Sequence, residues 1–258
     1  MNKPRPVFVA DTCIGGLSVL RALRRSGHAN DAVFLADYEV NPLGVKSDAA
    51  IEQVVNKWLG MAKRHSDKLV IACNTLSIRY RQLFPSNKTY AGFKQIVSMV
   101  DCFREMIRVE AEPLAHKKIL VLGTEFTSNQ ALYPNMLAAA LPGVQVDSIA
   151  ATELERRIAR FLPLDYTDSS VLNHALRQAI EKTDIVVLAC TCFPMVKTEL
   201  QAQFPRVRFL DPGAYCQGLL EKENFKTPER LSVRVKGNVV SRAQVIEFAN
   251  TFLVQDPL

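Results

Sequence analysis

Short apolar runs rich in valine, isoleucine and leucine alternate along the chain with longer amphipathic stretches. The runs at Val7–Ala10, Ala32–Ala36, Lys68–Ala72, Ile119–Leu122, Val144–Ile149, Ile185–Ala189 and Val207–Leu210 read as strands. Between them, Ser47–Arg64, Ser77–Leu83, Asn129–Ala140, Glu153–Phe161 and Ser169–Glu181 carry helical spacing. Strands apolar on both faces and separated by helices belong to a parallel sheet covered on both sides. No Gly/Ser linker or low-complexity segment interrupts the pattern. The fold class is α/β.

The pattern also repeats. Ser66–Thr75 reads SDKLVIACNT and Thr183–Cys192 reads TDIVVLACTC, each with Asp six residues before Cys, then a strand ending in Ala-Cys. A looser echo links VFVADT, ending at Thr12, with ILVLGT, ending at Thr124. From Thr12 to Cys73 is 61 positions and from Thr124 to Cys190 is 66. Two matched echoes at nearly equal separation predict two halves of similar fold related by a pseudo-twofold axis. Ligands of open parallel sheets bind beyond the carboxyl ends of the strands. Thr12, Cys73, Thr124 and Cys190 all fall at such ends, so facing halves would line one shared cleft with them.

Composition changes this picture little. The chain has 258 residues, 48% hydrophobic and 22% charged, ordinary for a globular protein. No apolar run has the length of a membrane span, and MNKPRPVFVADT lacks the apolar core of a secretory signal, so a cytoplasmic protein is expected. The net charge of +6 is scattered along the helical stretches without an aromatic-interleaved stripe, which argues against nucleic acid. Six cysteines in a reducing compartment are thiols, and their spacing matches no paired C-x-x-C zinc site.

Two facing thiols suit one kind of chemistry. A thiol acts as base or nucleophile only as the thiolate, and its ordinary pKa of about 8.5 lies above neutrality. At the junction of a strand and a following helix, free N–H groups and the helix dipole favour an anion. Those of Asn74 and Thr75, and of Thr191 and Cys192, would serve a thiolate or a substrate carboxylate. A thiolate and a thiol on opposite faces of a planar carbanion remove the α-proton and return one from the far side, which is a two-base racemase or epimerase. Cys102 and Cys216 read as core or structural residues, and Cys13 as bordering the cleft. Cys192 is a possible modulator of Cys190, by contact, a labile disulfide or metal binding, although a lone C-x-C is a weak metal signal and no metal ligand set is assigned. His28, His65, His116 and His174 lie in polar contexts that read as surface.

The landmarks together resemble the glutamate racemases of the aspartate/glutamate racemase superfamily. Asp11-Thr-Cys-Ile-Gly-Gly-Leu17 is similar to their D-S-G-x-G-G-L, Pro42-Leu-Gly44 to P-Y-G, and Ala72-Cys-Asn-Thr75 to A-C-N-T. Gly123-Thr124 with Thr127 and Tyr133 resembles G-T-x-x-T…Y. Cys190-Thr191 with Phe193-Pro194-Met195 resembles C-T-H-Y-P-L, and Leu210-Asp211-Pro212 a late I-D motif. The order and spacing hold over nearly the whole chain. The resemblance implies two pseudo-symmetric parallel-sheet domains with the active site between them, the first from residues 1–96 plus 208–258 and the second from 97–207. It implies a cofactor-independent racemase of glutamate, with Cys73 and Cys190 as the acid/base thiols and Asp11 assisting the thiol on its side. Thr12, Pro42, Gly44, Asn74, Thr75, Thr124, Thr127 and Thr191 would hold the substrate. Its partners would be a small acidic amino acid and a second copy in a homodimer, with D-glutamate destined for peptidoglycan.

The chain departs from the pattern at four positions: Cys13 for Gly, Leu43 for Tyr, Leu76 for a small residue and Cys192 for His. An acidic partner of that His would align with Ala159, with Glu153 and Glu155 nearby. Cys13 in place of a glycine narrows the space where backbone meets ligand. These changes keep open a racemase of aspartate or another small acid, and a catalytically weakened paralogue with a binding role.

Overall fold

The computed structural model describes residues 5–84, 92–222 and 229–254. Its strands are β1 (Val7–Asp11), β2 (Asp31–Asp37), β3 (Lys68–Ile71), β4 (Gln95–Ser98), β5 (Lys118–Gly123), β6 (Gln145–Ala150), β7 (Ile185–Leu188), β8 (Arg208–Leu210) and β9 (Arg230–Lys236). They form two sheets, β4-β3-β1-β2-β9 and β6-β5-β7-β8, in which every pairing is parallel. Matching β1 with β5 and β3 with β7 makes the strand orders identical: β4-β3-β1-β2 against β8-β7-β5-β6, with β9 added to the first sheet. The correspondence reaches individual bonds. Ala72 N–H donates to the Ala10 carbonyl and Ala189 N–H to the Leu122 carbonyl, both at 2.8 Å, one residue before each strand-end cysteine. The expected fold class of two parallel α/β domains therefore holds.

The helix Asp48–Lys63 shows how sequence builds these layers. Ser47 caps it, accepting from Ala50 N–H, and Ile51, Val55, Trp58, Leu59 and Ala62 bury one face at helical spacing. Trp58 Nε1–H reaches Asp37 Oδ2 at 2.9 Å and pins that helix to the end of β2. Helix Asn74–Leu83 starts earlier than the periodicity predicts, with Cys73 at its cap position. The helix expected from Ser169 instead starts at His174, because Asn173 turns its side chain to accept from Leu176 N–H at 2.8 Å.

Two strands escaped the sequence reading. β4 holds only Ile96 and Val97 as apolar residues. β9 alternates Leu231, Val233 and Val235 with Arg230, Arg234 and Lys236, the pattern of an edge strand with one charged face. β8 pairs with β7 and so lies in the second sheet, although the division expected from the sequence placed residues 208–210 in the first domain. No helix of the described residues is long and apolar enough to cross a membrane.

The two halves are packed onto each other. One buried apolar cluster runs from Val7, Val9 and Leu17 of the first half to Leu122, Leu188 and Phe193 of the second. Ser18 Oγ lies 3.0 Å from the Thr191 carbonyl, and Tyr38 OH donates to the Ala159 carbonyl at 2.7 Å. At Gly15 the backbones meet so closely that a Cβ would fall 2.6 Å from Thr191 Oγ1 and 2.9 Å from Cys192 N. Gly15→Ala must move one half against the other, and is expected to destabilise the protein by about 1–3 kcal/mol. Thermal melting checks this, since an unchanged melting temperature would mean the junction yields freely.

Candidate active site

The cleft between the sheets encloses a cavity of about 330 Å³, within the range of small-molecule sites. Its walls are the strand ends. Asp11, Thr12 and Cys13 follow from β1, Cys73, Asn74 and Thr75 from β3, Thr124 and Thr127 from β5, and Cys190 and Thr191 from β7. Pro42 and Gly44 close another side, with Gly44 so near Phe126 that a Cβ there would meet its ring carbons' stem at 2.7 Å. Every residue that the sequence assigned to catalysis or substrate binding lines this one cavity. Cys192 does not. It is fully buried behind Cys190.

Asp11 lies at the centre of the polar network. Its Oδ1 accepts from Thr12 N–H at 2.6 Å, and its Oδ2 accepts from the Thr191 hydroxyl at 2.8 Å, across the junction between the halves. Thr12 Oγ1 in turn lies 3.8 Å from Cys73 Sγ. The carboxylate thus touches both sides of the cleft, where the sequence reading gave it to one. Burial raises its pKa from 3.8 to about 7, against the lowering effect of these bonds.

The two thiols have unequal surroundings. Cys73 caps a ten-residue helix whose first turn includes Leu76, and the backbone N–H of Leu76 reaches its sulfur. Burial, followed by the charge of Asp11, nevertheless holds this thiol well above its ordinary value. Cys190 leads into a four-residue 3₁₀ turn, Phe193–Val196, and the α-helix begins only at Lys197. The helix junction expected there is therefore weaker, with Pro194 supplying no N–H to it.

Asn74 and Tyr133 form a second bridge. Tyr133 OH donates to Asn74 Oδ1 at 2.7 Å, which fixes the amide and leaves Nδ2 buried with no partner at the cavity wall. An unpaired donor so placed is poised for a ligand oxygen. Among the described residues no lysine, arginine or histidine lines the cavity, so there hydroxyls and N–H groups are left to hold a carboxylate. None of the four histidines is near. His65, expected at the surface, is half-buried and stacks on Phe8 with centroids 6.2 Å apart.

The sequence reading left Glu155 without a role. It projects from helix Thr152–Ala159 into the cavity, its pKa raised by burial, which outweighs the lowering effect of a hydrogen bond with Asn41. Glu153 turns outward to Arg156 and Arg157. Helical phase was the only available signal, and it did not separate the two glutamates without knowledge of which face the cleft occupies. Leu43 lines the cavity, Leu76 is buried away from it, and Cys102 and Cys216 are fully buried as expected.

Fold and site together define a two-domain α/β protein with paired thiols in the cleft between its parallel sheets. No protein-family model matches the chain. It is 26% identical over 267 residues to the glutamate racemase of Latilactobacillus sakei subsp. sakei (strain 23K), covering 99% of this chain and 93% of that protein. Its fold is that of the Escherichia coli glutamate racemase bound to L-glutamate and the activator UDP-MurNAc-ala, with a TM-score of 0.73, 23% identity and coverage of 96% of each chain. It also matches the Francisella tularensis glutamate racemase bound to D-glutamate, with a TM-score of 0.74, 18% identity and coverage of 98% and 94%. The resemblance to glutamate racemases thus holds over nearly the whole chain.

The raised pKa of Asp11 has a consequence for stability. Between about pH 4 and 7 the folded protein keeps a proton there that the unfolded chain has lost, so this group's contribution falls as pH rises and levels off above 7. Asp11→Asn carries no such penalty. Its melting temperature should therefore improve relative to the parent protein between pH 5 and pH 8, measured in EDTA-containing buffer. A difference constant across that range would show that Asp11 titrates normally.

Proposed function

We propose that this protein is an amino-acid racemase that interconverts L- and D-glutamate without a cofactor, using Cys73 and Cys190 as its two acid/base thiols. The observation that carries the reading is the convergence of these strand-end thiols, one from each matched half, on a single cavity with Asp11 between the halves. The relatives named glutamate racemase, in sequence and in fold, support the reaction class and the substrate.

In this reading the substrate's α-carbon lies between the sulfurs. One thiolate takes the α-proton, and the C–H electron pair passes into the adjacent carboxylate to give a planar carbanion. The opposite thiol then gives its proton to the other face and is left as the thiolate. Starting from the other enantiomer, the same steps run in reverse with the two sulfurs exchanging roles. Asn74 Nδ2 and the hydroxyls of Thr12, Thr75, Thr124, Thr127 and Thr191 would hold the carboxylates, and the acidic side chains Asp11 and Glu155 would face the ammonium. Burial and then the Asp11 charge favour the protonated form of Cys73, which suits it to the part of proton donor.

Aspartate is the second reading, because Cys13 lines the cavity where the racemase motif has glycine, and its side chain takes space from the ligand. Chiral chromatography after incubation with L-glutamate, D-glutamate or L-aspartate under reducing conditions tests both. Racemisation of glutamate in both directions is expected, with Cys73→Ser and Cys190→Ser each lowering kcat by about 10²–10⁴-fold. Cys190→Ser at full rate would refute the two-thiol assignment, and no racemisation of any of these substrates would refute the racemase.

A further inference from the structure

Two of this chain's departures from the racemase pattern meet in space. Cys13 and Cys192 are 179 positions apart, yet their Sγ atoms lie 3.4 Å apart. Cys13 follows β1 of the first sheet and Cys192 follows β7 of the second, so the pair spans the junction between the halves. A carboxylate oxygen of Glu155 completes the cluster, and it and both sulfurs lie within 4.8 Å of one another. Glu155 is one helical turn before Ala159, where the motif alignment would put an acidic residue. Ala159 brings only its carbonyl, already accepting from Tyr38.

Two sulfurs and a carboxylate oxygen at these separations have the makings of a coordination sphere. Metal–sulfur bonds of about 2.3 Å in a tetrahedron place two sulfurs about 3.8 Å apart, a few tenths of an ångström from what is seen here. Thiolate ligands select the zinc class over magnesium or calcium. Cys13 and Glu155 line the cavity while Cys192 closes the cluster from behind, so a fourth position would face the cleft. Three protein ligands with one open position is the arrangement of an accessible metal site, not of a closed structural one.

We propose that Cys13, Cys192 and Glu155 form a binding site for a borderline-soft divalent cation of the zinc class, joining the two halves of the protein at the floor of the cleft. Binding releases both thiol protons to solvent and leaves two thiolates and one carboxylate on the dication. Cys192 also contacts Cys190, so an ion held here would lie next to an active-site thiol. The site shares Glu155 and Cys13 with the wall of the substrate cavity, so metal binding itself, and not racemisation, is its readout.

Cobalt(II) titration of the reduced, metal-free protein tests it, because cobalt takes the same ligands and absorbs where sulfur donates charge to it. One equivalent should bind, produce a sulfur-to-cobalt band in the near ultraviolet, raise the melting temperature and be displaced by one equivalent of Zn²⁺. Cys13→Ser and Cys192→Ser should each abolish the band, and Cys73→Ser should keep it. Glu155→Gln should keep the sulfur band but weaken binding by about tenfold or more, since even outer partners of metal sites cost 10–100-fold. Cys13→Gly, which restores the motif residue, provides a second variant if the serine form folds poorly, and it too should lose the band. Absence of a sulfur band in the parent protein, or a band that survives loss of Cys13 or of Cys192, overturns the proposal.

Discussion

The buried carboxylate of Asp11 is the constraint on which the cleft depends. It is fully enclosed, yet it accepts from Thr12 of its own half and from Thr191 of the other. A charge in such a place is expensive unless several donors surround it. The geometry at the junction follows from supplying those donors: Thr191 must stay within reach, Gly15 must admit the Thr191–Cys192 backbone, and Ser18 approaches the Thr191 carbonyl. Separating the halves by even an ångström would strand the carboxylate, so the interaction that orders the site also holds the domains in register.

Matched sheets deliver matched thiols, but the repeat does not make them equal. Ala72 and Ala189 donate the same backbone bond before each cysteine, and beyond it the copies diverge. The first enters an α-helix at once, while the second passes through a short 3₁₀ turn and has a neighbouring thiol, Cys192, at its back. Burial, and then the Asp11 charge, keep the first thiol protonated. An enzyme that must handle two mirror-image substrates can tolerate this asymmetry, because each direction needs one donor and one acceptor and not two identical groups.

Much of this was legible in the sequence because parallel sheets put function at strand ends, and strand ends are marked by where apolar runs stop. Thr12, Cys73, Asn74, Thr124 and Cys190 were found that way, and the resemblance to glutamate racemases added Pro42, Gly44 and Thr127. What escaped had no one-dimensional signal. β9 hides because its charged face halves its apolar content. Glu155 and Glu153 are two positions apart on a helix, and only the location of the cleft decides which one faces it. The contact between Cys13 and Cys192 depends on the packing of two halves, which no local pattern encodes.

The central claim is that two different groups handle the α-proton from opposite faces. A single turnover of L-glutamate in deuterium oxide, quenched early and analysed by mass and by enantiomer, tests it most directly. The D-glutamate formed should carry one deuterium while the recovered L-glutamate carries none, because the proton removed and the deuteron returned pass through separate thiols. D-glutamate that retains the original α-proton would mean that one group shuttles it between faces, and the two-thiol account of the cleft would be contradicted.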